Sequence, residues 1–216
     1  AIHNHTAVFY DRHVAYSNLG FETFTPVEMM TGGTYNPLGW ERDDVLTGEI
    51  ISALDSTDSP DFVFTVTVQG HGKYPSEPLD PDKFGDSYEA PDSYESGSGA
   101  ITVSGKDDPA MLSQLTYYVN QLRETDNFIK ALIEALTERG EPCVVVFYGD
   151  HMPALTLTAD DLTNGSLYDT EYAVWTNTDI FDGSDGSLDR DLEAYMLSAY
   201  IQELCSIDEG AISRLH

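Results

Sequence analysis

Residues 143–148, Cys-Val-Val-Val-Phe-Tyr, run directly into Gly149-Asp150-His151-Met152-Pro153. Three consecutive valines followed by two aromatics read as a strand, because β-branched and aromatic side chains suit a pleated, packed surface. No polar residue alternates with them, which is the pattern of a strand covered on both faces, as in a parallel sheet. Residues 62–68 form a second such run, and it ends in Gln69-Gly70-His71-Gly72. Ligands of open α/β sheets bind beyond the carboxyl ends of the strands. Two strands that each stop at glycine and histidine therefore mark a candidate site as well as a fold.

Working outward, helical patterns separate these strands. Pro109 opens the strongest one. Leu115, Tyr118, Val119 and Leu122 follow the i, i+3, i+4, i+7 rule, Ile129, Leu132, Ile133 and Leu136 repeat it, and Gly140 ends it. Residues 43–54 predict another helix, with Val45, Leu46, Ile50 and Leu54 near one face. Residues 11–19 are helical up to Gly20, and residues 192–204 form a closing helix. Short strands are expected at 6–10, 21–24 and 172–176. Residues 25–40 read as loop, and residues 72–108 as a long loop of the kind that is either functional or disordered. The order predicts an α/β fold, a mostly parallel sheet flanked by helices, with no internal repeat.

The 216 residues suit one domain with a sizeable core. Ten basic residues face 38 acidic ones, for a net charge of −28. Such a surface repels nucleic acid and anionic lipid on net charge, although a local basic spot still binds anions. Cys143 and Cys205 read as buried free thiols. No apolar run approaches the roughly 20 residues of a membrane helix. The acidic stretch 179–193 fails the EF-hand pattern and reads as solvated loop. The chain begins at Ala1 with no signal segment, so it is expected to be an excised piece of a longer protein.

Asp150 and His151 offer a carboxylate and an imidazole, both good ligands for zinc or manganese. Taken alone, the pair reads equally as a capping Asp and a structural His. His71 alone reads as a surface loop histidine. A third cluster comprises His3, His5, Tyr10, Asp11, Arg12 and His13. Arg12 sits at a strand-to-helix turn, where guanidinium pairs well with phosphate. Its simpler reading is a surface ion pair.

The clusters acquire a joint meaning from their order. His3…Phe9-Tyr10-Asp11-Arg12, Leu19-Gly20-Phe21, Pro60-Asp61-Phe62…Thr67…His71-Gly72…Tyr74, Gly149-Asp150-His151-Met152-Pro153 and Val174-Trp175-Thr176-Asn177 resemble the lipoteichoic acid synthase family. Its members are phosphoglycerol transferases with a sulfatase-like domain of the alkaline phosphatase superfamily. The resemblance spans residues 2–205. It implies that Asp150 and His151 are two ligands of a divalent metal, typically manganese, with magnesium or zinc as alternatives. It implies that His71 contacts the substrate phosphate, and that His3, Tyr10 and Arg12 line the head-group pocket. The family often has Trp at the position of Tyr10 and an acidic residue at that of His5.

The resemblance further implies a nucleophilic threonine and a glutamate ligand upstream of residue 1. The whole chain, 1–216, is then the carboxyl-terminal portion of a catalytic domain, inactive and weakly metal-binding by itself. In the complete enzyme a covalent glycerophospho-threonine forms as phosphatidylglycerol loses diacylglycerol, and a growing glycerol-phosphate polymer accepts the head group. The parent is expected to be anchored by transmembrane helices at the extracellular face of the cell membrane of a Gram-positive bacterium. Two other readings stand beside this one. The first is a hydrolase or related transferase of the superfamily, such as a sulfatase, phosphodiesterase or phosphoethanolamine transferase. The second is a non-enzymatic acidic binding domain whose histidines are structural.

Overall fold

The computed structural model describes residues 1–79, 101–179 and 190–206. Residues 80–100 of the long loop, and 180–189 of the acidic stretch, lie outside the described residues. The chain divides into two units, one of residues 1–139 and 149–171, the other of residues 140–148 and 172–216.

The first unit holds a parallel sheet of β1 (Ile2–His3), β2 (Thr25–Pro26) and β3 (Thr65–Val66), in the order β2-β1-β3. Ile2 pairs with Thr25 on one side and Thr65 on the other. Helix α1 (Arg12–Asn18) lies between β1 and β2 in the chain, and α2 (Val45–Leu54) between β2 and β3. Parallel neighbours need such crossovers, so the expected α/β architecture with a parallel sheet is present. All three strands end at one edge, and His3-Asn4-His5 and Val68–His71 leave from it.

The expected strand at 6–10 is a loop that ends in a 3-10 turn, Phe9–Asp11. Side chains satisfy its backbone locally. The Ala7 N–H donates to the Glu28 carboxylate at 3.1 Å, and His13 Nδ1–H donates to the Ala7 carbonyl at 3.0 Å. A backbone bonded this way has no groups left for a ladder. The strand expected at 21–24 is also absent. Phe21 and Phe24 close around the Tyr16 ring, with centroids at 5.6 and 4.9 Å, and pairing starts only at Thr25.

Helix α3 (Pro109–Arg139) is continuous over 31 residues, roughly 45 Å long. Its buried Phe128, Leu132 and Leu136 repeat every four residues and lie on one stripe. Leu46 and Ile50 of α2, also four apart, are buried, and α2 packs on α3. The amino-terminal half of α3 departs from the expected apolar face. There Leu122 is 43% exposed while Gln121 is fully buried. The buried partners at that level are polar, so the face that hydrophobicity alone selects is the wrong one.

The second unit pairs β4 (Val144–Tyr148) with β5 (Tyr172–Thr176) in antiparallel register, Val144 opposite Thr176 and Tyr148 opposite Tyr172. Four residues of β4 are half-buried and Tyr148 is exposed, so β4 is not the doubly covered parallel strand its composition suggests. Residues 149–171 contain no α-helix, only the 3-10 turn Ala159–Asp161. Helix α4 (Leu197–Leu204) follows a 3-10 turn at Ala194–Met196 and is shorter than the 192–204 expected. Both cysteines are free thiols, half-buried rather than buried. Among the described residues, no helix is long and apolar enough to cross a membrane.

Candidate phosphate and metal site

The site is built where β1 and β3 end. His3 is 1% exposed, and its Nδ1–H donates to the Val66 carbonyl on β3 at 2.8 Å. A carbonyl only accepts, so Nδ1 carries the proton and Nε2 presents a lone pair. Nε2 is buried and meets no hydrogen-bond partner among the described residues. Burial, reinforced by the Arg12 charge, lowers the His3 pKa from 6.5 to about 4, against the raising effect of the Val66 bond. At neutral pH His3 is therefore an acceptor, unable to donate from Nε2.

That shift links folding to pH. The unfolded chain protonates His3 near 6.5, while the folded chain resists until about 4. Stability is full above 6.5 and is lost as pH falls toward 4, by about 2–3 kcal/mol. His3→Gln retains a donor for Val66 but does not titrate. Urea denaturation of the full-length protein at pH 7 and 4.5 should show the native protein losing more stability than the variant. Equal losses would mean that His3 is not the titrating group.

His5 continues the wall. Its ring stacks on Phe9 at 4.4 Å and meets the edge of Trp40 at 5.3 Å. Trp40 lies in turn against the His71 ring at 4.6 Å. Burial, then the charges of Arg12 and His71, lower the His5 pKa, while Glu28 opposes them. A cavity of about 160 Å³ opens beside His5, lined also by Tyr35, Trp40 and Glu41.

Arg12 enters from the start of α1. Its guanidinium lies 5.6 Å from the Phe9 centroid and 5.5 Å from that of Tyr10. Its Nη1 is buried with no hydrogen-bond partner among the described residues. Among the described residues Arg12 makes no ion pair, and its cation is held on two rings instead. Tyr10 and Asp11 both adopt left-handed backbone, with φ of 54° and 50°. Such residues cost roughly 1–3 kcal/mol each and persist where surrounding contacts hold them. Here those contacts are the Phe9–Tyr10 edge packing at 4.4 Å and the guanidinium. Tyr10 is 75% exposed and forms the rim.

The Asp150 segment joins the same neighbourhood within the first unit. A Cβ at Gly72 would sit 3.5 Å from the Ala154 methyl, so the loop after His71 packs on the loop after His151. Burial and then the Asp150 charge raise the Tyr118 pKa, and the Tyr118 ring lies 5.4 Å from that of Tyr74. A Cβ at Gly149 would fall 2.3 Å from Thr170 Oγ1, so a side chain there would force Thr170 to shift.

Asp150 and His151 themselves are 76% and 71% exposed. His151 Nδ1–H donates to the Met152 carbonyl at 2.8 Å, which leaves Nε2 as the lone-pair nitrogen. This is how metal-binding imidazoles are oriented. Nε2 faces Asp150 Oδ2 at 3.6 Å, too far for a hydrogen bond. Two ligand atoms on a tetrahedral cation, each bonded at about 2.0–2.2 Å, lie about 3.4 Å apart. The pair thus fits two ligands of a divalent cation. No group of three or more such ligands occurs among the described residues.

The structure gathers His3, Tyr10, Arg12 and His71 through His5 and Trp40, and sets Asp150 and His151 on the adjoining loop. Trp40 and Glu41 escaped the sequence reading. The usable signal was a tryptophan beside Gly39 in a stretch otherwise read as loop.

The sulfatase family model matches residues 1–182. A putative cyclic β-1,2-glucan modification protein of Rhizobium meliloti (strain 1021) is 30% identical over 155 residues, which are 72% of this chain and 21% of that protein. The phosphoglycerol transferase GacH of Streptococcus pyogenes, solved in complex with sn-glycerol-1-phosphate, is similar in fold. Its TM-score is 0.67 at 24% identity, over 94% of this chain and 48% of that one. The lipoteichoic acid synthase LtaP of Listeria monocytogenes gives a TM-score of 0.48 at 19% identity, over 80% of this chain and 41% of that one. The chain thus spans about a fifth of the curated relative and about half of the GacH chain.

Proposed function

The chain belongs to the sulfatase family, and from that premise we propose that it is the carboxyl-terminal portion of the catalytic domain of a metal-dependent phosphoglycerol transferase. One observation carries the reading. His3 Nε2 and Arg12 Nη1 are buried, without partners among the described residues, and near enough for the Arg12 charge to act on His3. One is a lone pair that wants a hydroxyl; the other is a cationic donor that wants an anionic oxygen. Glycerol phosphate offers both.

In this reading Arg12 and His71 hold the phosphoryl oxygens, His71 as an imidazolium that donates from Nε2–H while Nδ1–H stays on the Gly72 carbonyl, His3 accepts from a head-group hydroxyl, and Tyr10 walls the rim. Asp150 and His151 would hold a divalent cation, manganese, together with ligands from outside this chain. When bound, that cation supplies positive charge at the transferring phosphoryl group. A threonine outside these residues attacks phosphorus, and the bond to the diacylglycerol oxygen breaks as that alcohol takes up a proton. An acceptor hydroxyl then displaces the threonine from the phosphodiester. Charge held in fixed positions around the phosphoryl group is what lowers the barrier in both halves.

The parent acts at the extracellular face of the cell membrane of a Gram-positive bacterium, taking phosphatidylglycerol as donor and a growing glycerol-phosphate polymer as acceptor. A glycan acceptor is the second reading, favoured by the 30%-identical relative named for glucan modification. Calorimetric titration of the full-length protein with sn-glycerol 1-phosphate tests the pocket. Losing a charge-assisted bond costs about 1.5–3 kcal/mol, so Arg12→Ala should bind roughly 10- to 100-fold more weakly. Unchanged affinity removes Arg12 from the pocket and with it this reading.

A further inference from the structure

We propose that Asp43, which touches no substrate in any reading above, is the positioning residue that holds the histidine-bearing loops in register. This rests on the proposed phosphoglycerol chemistry only for its activity assay. Asp43 is fully buried at the start of α2. Its Oδ1 accepts from Asn4 Nδ2 at 2.9 Å, from the Val68 N–H at 3.2 Å and from the Gln69 N–H at 3.3 Å. Its Oδ2 accepts from Thr125 Oγ1 at 2.8 Å. One carboxylate therefore ties together the segment after β1, the segment after β3 and the middle of α3.

The positions tied are those next to the site. Asn4 stands between His3 and His5. Val68 and Gln69 begin the turn that carries His71, whose own N–H donates to the Val68 carbonyl at 2.9 Å. Gln69 extends the clamp. Its Oε1 accepts the Asp43 N–H at 2.8 Å, and its Nε2 donates to Gln121 Oε1 at 3.2 Å. Asn36 Nδ2 donates to the Gln69 carbonyl at 3.1 Å and to Gln121 Oε1 at 3.0 Å. Asn36 Oδ1 accepts the Trp40 N–H at 3.0 Å, which sets the indole between His5 and His71.

Bonds from several elements converging on one rigid carboxylate suit positioning better than bulk stability. A structural core gains about as much from apolar packing, whereas a polar network fixes one geometry and penalises every other. β1 and β3 pair over only two residues each, so the ladder alone leaves the ends of their loops unconstrained.

The test uses the full-length protein and three variants, Asp43→Ala, Asp43→Asn and Thr125→Val. Asn keeps Oδ1 for its three donors and turns an amide N–H toward Thr125 Oγ1, which can accept it. Release of diacylglycerol from phosphatidylglycerol vesicles gives kcat and KM. The ring-current shift of the His71 Hε1 resonance by Trp40 gives the loop geometry directly. Asp43→Ala should lower kcat at least tenfold with KM little changed, and should abolish the His71 shift, while Asp43→Asn restores both. Thr125→Val should fall between, and serves where Asp43→Ala does not fold. A folded Asp43→Ala or Thr125→Val with native kcat and a native His71 shift overturns the proposal, as does Asp43→Asn matching Asp43→Ala. Should the native protein release no diacylglycerol, the transferase reading fails, and the His71 shift alone then decides on Asp43.

Discussion

Asp150→Ala in the full-length protein should lower phosphoglycerol transfer by about 10³-fold or more, since a lost metal site removes several kcal/mol of charge stabilisation in the transition state. Its side chain is 76% exposed, so the substitution opens no cavity and thermal stability without metal should not change. The direct readout is manganese titration. His151 Nε2 and Asp150 Oδ2 face each other at 3.6 Å, and removing Asp150 takes one charged ligand from the proposed set. His151→Ala should weaken manganese binding in the same manner, and the double variant should add little. Asp150→Asn keeps an oxygen donor without the charge and should fall between. Native manganese affinity in both single variants would sink the metal reading, whatever happened to activity.

His71→Ala is expected to cost roughly 10²–10³ in kcat, the usual effect of deleting one fixed group that meets charge developing in a transition state. His71 lies exposed on a turn, with its ring against Trp40 at 4.6 Å and its Nδ1–H given to the Gly72 carbonyl at 2.6 Å. Those two contacts fix the ring and leave Nε2 free to meet the phosphoryl group, to which it donates as the imidazolium. Because the side chain is exposed, its loss should leave the fold intact, and circular dichroism and the melting temperature serve as controls. Activity within about twofold of native, measured as transfer from phosphatidylglycerol, would make His71 the surface histidine of the simpler reading. Arg12→Ala is expected to act mainly on binding and His71→Ala mainly on turnover, so the two variants separate head-group recognition from phosphoryl transfer.

Much of this was legible in one dimension because it follows from local chemistry. The long helix α3 announces itself by period and by its terminal glycine. Glycine-histidine signals after apolar runs singled out His71 and Asp150-His151, whose loops pack together at Gly72 and Ala154. What local chemistry could not supply was pairing. Valines make β4 a strand, but whether its neighbour runs parallel depends on what connects them, and residues 149–171 form no α-helix. Residues 6–10 have strand composition, yet Glu28 and His13, distant or out of phase in sequence, take their backbone bonds.

By itself, the sequence determined an α/β chain with a carboxylate and imidazoles at strand ends, because residue type and spacing report intrinsic propensity and ligand chemistry. Only the tertiary structure decided which face of α3 is buried near Gln121, that Arg12 rests on the Phe9 and Tyr10 rings, and that Asp43 is fully buried under four donors. Gln121 and Asp43 depend on partners tens of residues away, and Arg12 on a left-handed turn that brings Phe9 and Tyr10 under it; a buried polar group draws its role from the geometry of its partners rather than from residue type alone. Gly149-Asp150-His151 belongs to both accounts. Its residue types were written in the chain, while the 3.6 Å between Asp150 Oδ2 and His151 Nε2 came from the fold.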